Sequence, residues 1–426
     1  MVGALVAALV TDLQVHGLAR HERQVLAAAR RHLSASDFDL AATTYARALA
    51  VGHRNALQVS VASMLGQVAT TEGVLGTTNN AASLEGLDIA TLQTCLGGVR
   101  GALQQIAGRD NSAAIGDISA VSSACLMLDG STAGGPVYPF DFPDPDVMRV
   151  DGTYFAYATN SAEGNIQIID STDLTHWTAV GNALPSLPKW AVPGGTWAPG
   201  VLQVGSTFVL YYAAQVAGAG SGDECISVAT ATQPQGPFTD DSTAPLECQP
   251  ALGGSIDPSP FVDANGALYL QWKSIGAGGQ PATIWSEQLN ASGTGFAAGA
   301  APAALLSADL SWEAGVVEAP DLVLDAGRYF LFFSGNNWDS ANYAVGVATC
   351  SGPLGPCTQP LTQPILASGP DMAGPGGESV FTDSSGSFWI AFDAWLPGAI
   401  SYPNSRALYL RPLDLSGATP VVGPAG

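Results

Sequence analysis

Asp144-Pro145-Asp146-Val147, followed after a short turn by Tyr154-Phe155, is the first of five like segments. Each is a short polar or acidic head, an apolar run, a Gly or Asp-Gly turn and an aromatic-rich run. The others are Ala198-Pro199-Gly200-Val201 with Phe208 to Tyr212, Asp257-Pro258-Ser259-Pro260-Phe261 with Tyr269, Ala319-Pro320-Asp321-Leu322 with Tyr329 to Phe333, and Glu378-Ser379-Val380-Phe381 with Phe388 to Phe392. Starts at 144, 198, 257, 319 and 378 are 54, 59, 62 and 59 residues apart. That period is too long for a solenoid repeat and suits one four-stranded blade. Five such units predict an all-β five-bladed propeller. Equivalent positions of each innermost strand ring a propeller's axis, so the five heads converge on one funnel. Asp144 and Asp257 open the first and third heads, Glu378 opens the fifth, and Glu318 immediately precedes the fourth.

Composition divides the chain just ahead of the first repeat. All 28 Pro and all nine Trp lie from Pro136 onward. The first 135 residues carry ten acids and eight Lys plus Arg, leaving 26 acids and six basic residues for the remainder, so about −20 of the net charge of −22 belongs to the propeller. An acidic domain of this kind repels phosphate polyanions, which argues against nucleic acid and anionic membrane as ligands. Most of the acidity serves solubility.

Residues 1–130 read as an α-helical, coiled-coil-like region joined by a linker at 131–137 to a propeller at 138–426. Leu26, Leu33 and Leu40 are seven apart, and Leu57, Val61, Met64, Val68 and Leu75 are four, three, four and seven apart, the spacing of a coiled-coil seam. Arg20, Arg23, Arg30 and Arg31 fall on the solvated face of the first helix. Self-association through these helices is one partner mode the pattern allows. Val2 to Val10 is apolar but nine residues long, too short to span a bilayer alone; a membrane tether upstream of the N-terminus is a second mode. Thr91 to Val99, with Asp117 to Val121 and Cys125, resembles stalk regions of actinobacterial cell-surface proteins.

Six cysteines fall into three neighbouring pairs, Cys95 with Cys125, Cys225 with Cys248 and Cys350 with Cys357. An even count so spaced predicts disulfides and an extracytoplasmic location, secreted or tethered at the cell surface. Zinc is disfavoured, because no CxxC occurs and only His176 lies beyond residue 53. The same scarcity of His disfavours Ser-His-Asp and Cys-His catalysis. Gly276, Gly278 and Gly279 lack the helix and Lys of a phosphate loop.

Carboxylates remain, and glycoside hydrolysis needs a pair of them: one protonates the leaving oxygen, and the other activates water or attacks the anomeric carbon. Asp144 and Asp257 both precede a Pro that fixes the chain where the inner strand begins. Glu318 stands in Val316-Val317-Glu318-Ala319-Pro320, among apolar neighbours expected to raise its pKa and keep it protonated. Asp146 and Asp321 read as turn or blade-interface residues.

On these three carboxylate motifs, in this order and at blade spacing, the chain from about Tyr138 to Val422 resembles glycoside hydrolase family 43. The resemblance implies a five-bladed propeller that inverts configuration while cleaving arabinofuranosides or xylosides. It implies Asp144 as the general base, Glu318 as the general acid and Asp257 as the residue that tunes and orients the acid. It also implies an aromatic wall at Thr196-Trp197-Ala198-Pro199, and an Arg reaching the sugar from Arg406-Ala407-Leu408-Tyr409. In blade five, Gly374-Pro375-Gly376-Gly377 puts Gly377 where the family commonly has a His. No cofactor is required, and a central calcium is disfavoured, Glu378 being the residue left to hold a cation or a water.

The expected substrate contacts are Trp197, Arg406, Trp395 and Glu378, while about half of Trp197, Trp272, Trp338 and Trp395 are expected to serve packing. The reading that follows is an inverting hydrolase of arabinose-containing polysaccharide or oligosaccharide, an α-L-arabinofuranosidase or arabinanase. A β-xylosidase of the same fold, or a noncatalytic carbohydrate-binding propeller, is the alternative. Phosphorolysis and the retaining sucrose-cleaving propellers fit less well.

Overall fold

The computed structural model describes residues 135–424, apart from 139, 162–163, 219–223 and 403. The expected N-terminal helices and the Cys95–Cys125 pair lie outside the described residues, as does most of the linker. Five antiparallel sheets follow one another in chain order. Blade one holds β1 (Asp146–Val150), β2 (Thr153–Ala158), β3 (Gln167–Ser171) and β4 (Thr178–Asn182). Blade two holds β5 (Ala191–Val204), β6 (Thr207–Val216) and β7 (Glu224–Ala231), and is three-stranded. Blade three runs from β8 (Ser255–Val262) through β9 (Leu268–Ser274) and β10 (Thr283–Gln288) to β11 (Ala303–Ser307). Blade four comprises β12 (Val317–Asp325), β13 (Arg328–Gly335), β14 (Ala344–Cys350) and β15 (Cys357–Thr358). Blade five comprises β16 (Ala373–Thr382), β17 (Phe388–Trp395), β18 (Ala407–Asp414) and β19 (Val421–Val422).

The second strand of each blade is the apolar one, because both its faces are covered by neighbouring blades. Val209 to Ala214, Phe330 to Phe333 and Ile390 to Trp395 are almost wholly excluded from solvent. Blades one and two share a core around Tyr157, Ile168, Leu210 and Tyr212, and blades four and five share another around Phe330, Phe332, Phe392 and Tyr409. The ring closes through β18. Val137 donates its N–H to the Leu408 carbonyl at 2.8 Å and Leu408 donates back to Tyr138 at 2.9 Å, while β19 pairs with the far end of the same strand. Both ends of the propeller thus join one sheet. Disulfides join Cys225 to Cys248 and Cys350 to Cys357.

Below the heads, side chains staple adjacent blades. Val201 N–H donates to Asp146 Oδ2 at 2.8 Å, Val380 N–H donates to Asp321 Oδ2 at 2.5 Å, and Val147 N–H donates to Ser379 Oγ at 3.3 Å. Asp146 and Asp321 are therefore blade-interface residues. Burial, only partly offset by these N–H donors, pushes the Asp146 carboxyl up to about 7 and the Asp321 carboxyl up to about 8.

In the unfolded chain both titrate near 3.8, so the folded state holds protons that the unfolded chain has lost. The stability they contribute is full below about pH 4 and is lost as pH rises through about 8. The melting temperature is expected to be higher at pH 5 than at pH 8.5, by on the order of 5–10 °C. A flat or rising profile in differential scanning fluorimetry would show that both carboxylates are ionised in the fold.

Candidate active site

All five heads share one backbone conformation. Asp144, Ala198, Asp257, Ala319 and Gly377 have φ of 55°, 44°, 55°, 48° and 59°, in the left-handed region that L side chains rarely adopt. In blades two to five the pairing of first and second strands slips by one residue here, between Trp197 and Gly200, Ile256 and Ser259, Glu318 and Asp321, and Gly376 and Ser379. Such a bulge re-aims the side chains around it. The five left-handed residues line a cavity of about 40 Å³ on the axis.

The fifth head differs by one residue from the expected start at Glu378. It begins at Gly377, 58 residues after Ala319 (377 − 319). A Cβ on Gly377 would lie 2.8 Å from Asp393 Oδ2 and 3.0 Å from Asp144 Oδ1. The carboxylates of blades five and one occupy the space an imidazole would need.

A second ring backs the first. Opposite the residue that precedes each head stand Thr159, Ala213, Lys273, Ser334 and Asp393, one from each blade. Three of them accept the N–H of the next blade's head: Ala198 donates to Thr159 Oγ1 at 2.9 Å, Gly377 to Ser334 Oγ at 3.0 Å, and Asp144 to Asp393 Oδ2 at 2.8 Å. Blades one, four and five thereby hold the neighbouring blade's left-handed residue in place. Blades two and three depart from this pattern: Ala213 has no polar side-chain atom, and in blade three an ammonium has no acceptor. There Ala319 donates instead to Asp257 Oδ2 at 3.0 Å, and Lys273 Nζ donates to Glu318 Oε2 at 2.6 Å.

The three expected carboxylates are therefore brought together, each in a different setting. Asp144 accepts from the Thr159 hydroxyl at 2.5 Å and lies 3.5 Å from the Arg406 guanidinium. Asp257 is held by burial, and then by the charge of Glu318, well above the usual carboxylate range at about 7, even with Lys273 close by. Glu318 is only 9% exposed; Lys273 supplies the partner that its apolar sequence neighbours did not suggest. Burial alone would lower the Lys273 pKa, but Glu318, Asp257 and Asp144 outweigh it and keep the ammonium charged. On the opposite side Asp393 is raised to about 7 by burial, against the pull of Arg406, which lies 3.5 Å away.

Trp197 is half-buried and directly precedes the Ala198 head, the place in blade two that Glu318 takes in blade four. Trp395 is fully buried, and so is Trp272. Trp395 was expected at the substrate, yet its ring lies under Trp338, with centroids 6.2 Å apart, and its Nε1 donates to the Trp338 carbonyl at 3.0 Å. The ring that faces solvent is Trp338, 37% exposed, beside Tyr402 at 48%. Arg406 stacks 4.7 Å from the Trp338 centroid. Glu378 is buried, accepts from the Ser334 hydroxyl and is pushed well above its ordinary pKa by burial. His176 sits in an exposed turn paired with Asp173 at 2.8 Å, away from the funnel.

Calcium takes six to eight oxygen ligands. Among the described residues no three His, Cys, Asp or Glu side chains are grouped to hold a metal ion. The axial carboxylates Asp146 and Asp321 already accept backbone N–H groups. These side chains do not make a calcium cage. Sequence reading missed Lys273, Asp393 and Thr159. The first two interrupt the apolar strands Leu268-Tyr-Leu-Gln-Trp-Lys273 and Phe388-Trp-Ile-Ala-Phe-Asp393, and that interruption was the available signal.

Comparison with known proteins agrees with the propeller fold. The model of Glycosyl hydrolases family 43 matches residues 133–419. A β-D-galactofuranosidase of Aspergillus niger is 27% identical over 286 residues, covering 61% of this chain and 76% of its own. Arabinan endo-1,5-alpha-L-arabinosidase A of Aspergillus niger is 26% identical over 309 residues, covering 66% and 90%. The crystal structure of an endo-1,4-beta-xylanase from Bacteroides thetaiotaomicron superposes with a TM-score of 0.58 at 29% identity, covering 67% of this chain and 95% of that one.

Proposed function

This chain belongs to family 43 of the glycosyl hydrolases, and on that premise we propose that its funnel hydrolyses arabinose-containing glycans with inversion, using Asp144 as base and Glu318 as acid. The observation that carries the roles is the position of Asp257. Its Oδ2 accepts the Ala319 N–H next to Glu318, and its pKa is raised first by burial, then by the charge of Glu318 and, to a smaller extent, by that of Asp144. One buried carboxyl thus senses both partners, and interaction of this kind separates acid from base.

In the proposed reaction, water bound beside Asp144 loses a proton to that carboxylate as it attacks the anomeric carbon. Glu318 gives its proton to the departing oxygen. Arg406 and Thr159 hold the base, and the exposed face of Trp338, with Tyr402 beside it, offers a stacking surface next to Arg406. Trp197 supplies the wall on blade two. The substrate class follows the arabinan-cleaving relative. The xylanase likeness favours a β-xylosidase as the second reading. Two disulfides support an extracytoplasmic setting.

Sugar release from linear arabinan, xylo-oligosaccharides and the matching aryl glycosides tests the assignment. Arabinose or arabino-oligosaccharides are expected from arabinan. Xylose release without arabinose would favour the second reading, and no release from any substrate would overturn both.

A further inference from the structure

Lys273 occupies a position that the fold uses differently elsewhere. Its counterparts Thr159, Ser334 and Asp393 accept the N–H of the next head. Lys273 cannot, and Asp257 accepts in its place. The lysine therefore contributes nothing to locking the backbone of blade four, although the position is made for that task. Its side chain is 7% exposed and its ammonium is 2.6 Å from Glu318 Oε2. A buried ammonium is costly unless it is paired and hydrogen-bonded, so this pairing decides what the residue does.

We propose that Lys273 is a positioning residue for the acid: its ammonium orients the Glu318 carboxyl and sets the pH above which the enzyme loses its proton donor. The proposal rests on the reading of Glu318 as the general acid. The groups facing the pair come from three blades besides its own. Asp257 adjoins it from β8, Glu318 extends from β12, the Asp144 charge reaches Lys273 from blade one, and Tyr343 and Glu378 face Glu318 from the loop before β14 and from β16. All of them except Tyr343 are acids. Arg406 is committed to Asp144 and Asp393 on the opposite side. The funnel thus has one cation for the base and another for the acid.

A cation against a carboxylate favours the ionised form, commonly by about one to three pH units. Removing it should extend activity to higher pH. Since the acid must be protonated to work, the alkaline limb of the kcat/KM profile reports its ionisation in the free enzyme. The test uses the full chain and an unactivated arabino-oligosaccharide, with Lys273→Met, Lys273→Gln and Lys273→Arg. Gln keeps a donor to Glu318 while removing the charge, and serves if Met does not fold; thermal unfolding establishes which variants fold.

The alkaline limb is expected to move up by about one to three pH units in the neutral variants and to stay near its wild-type position in Lys273→Arg. A purely structural role would lower activity at every pH without moving the limb, and an unmoved limb in a folded neutral variant overturns the proposal. Full activity of Glu318→Gln on the same oligosaccharide would instead refute the acid assignment itself, so the two failures are distinguishable.

Discussion

Glu318→Gln is expected to slow hydrolysis of natural glycans by about 10³-fold or more, at the upper part of the range for a positioned acid, while largely sparing aryl glycosides with strongly acidic phenols. The leaving group decides the difference. A sugar alkoxide is too basic to depart unprotonated, and Gln has no proton to give; a nitrophenolate leaves without one. The fold should tolerate the change, because the Gln carbonyl can still accept from Lys273, which donates to Oε2 at 2.6 Å in the native site. The measurement is kcat/KM across a series of aryl glycosides of graded phenol pKa. A steep dependence on leaving-group acidity, absent in the parent enzyme, is the expected signature. An equal loss on every substrate would assign Glu318 to binding.

Asp144→Asn is expected to lower turnover of all substrates alike, by about 10²–10⁴-fold. Water must lose a proton as it attacks whatever group departs, so the loss should be indifferent to phenol pKa. The amide can still accept from Thr159 and face Arg406, which in the native site lie 2.5 Å and 3.5 Å from the carboxylate; substrate binding should therefore change little. Azide, an anionic nucleophile that needs no base, should partly restore consumption of activated substrates and yield a glycosyl azide. Retention of full activity would remove Asp144 from the mechanism. The contrast in leaving-group dependence between the two variants separates acid from base without reference to any relative.

The blade count and the funnel's carboxylates were legible because they depend on local chemistry that recurs. A Pro follows the head in four of the five blades, and an aromatic-rich second strand recurs in all five because the blades must bury one another. Blade five was displaced by one residue because its head lacks the Pro that marks the other four. Gly377 is selected by crowding from Asp393 and Asp144, about 16 and 233 residues away (393 − 377 and 377 − 144), and nothing local announces that.

The residues that arm the site were hidden for a related reason. Lys273 and Asp393 lie in strands whose apolar neighbours describe packing between blades, and their partners belong to the next blade around the ring. A chain pattern records that a charge interrupts such a strand, but not which carboxylate it meets. Trp395 and Trp338 were exchanged in role because composition cannot say which of two stacked rings is uppermost. The burial of Trp395 and the exposure of Trp338 decide it.

Inversion follows from a base and an acid acting in one step on opposite faces of the anomeric carbon. The most direct test is proton NMR of the product in the first moments of hydrolysis, before mutarotation scrambles it. The first-formed anomer is expected to have the configuration opposite to that of the bond cleaved. A first-formed anomer of retained configuration would mean a covalent glycosyl intermediate, and would contradict the assignment of Asp144 as a base acting through water.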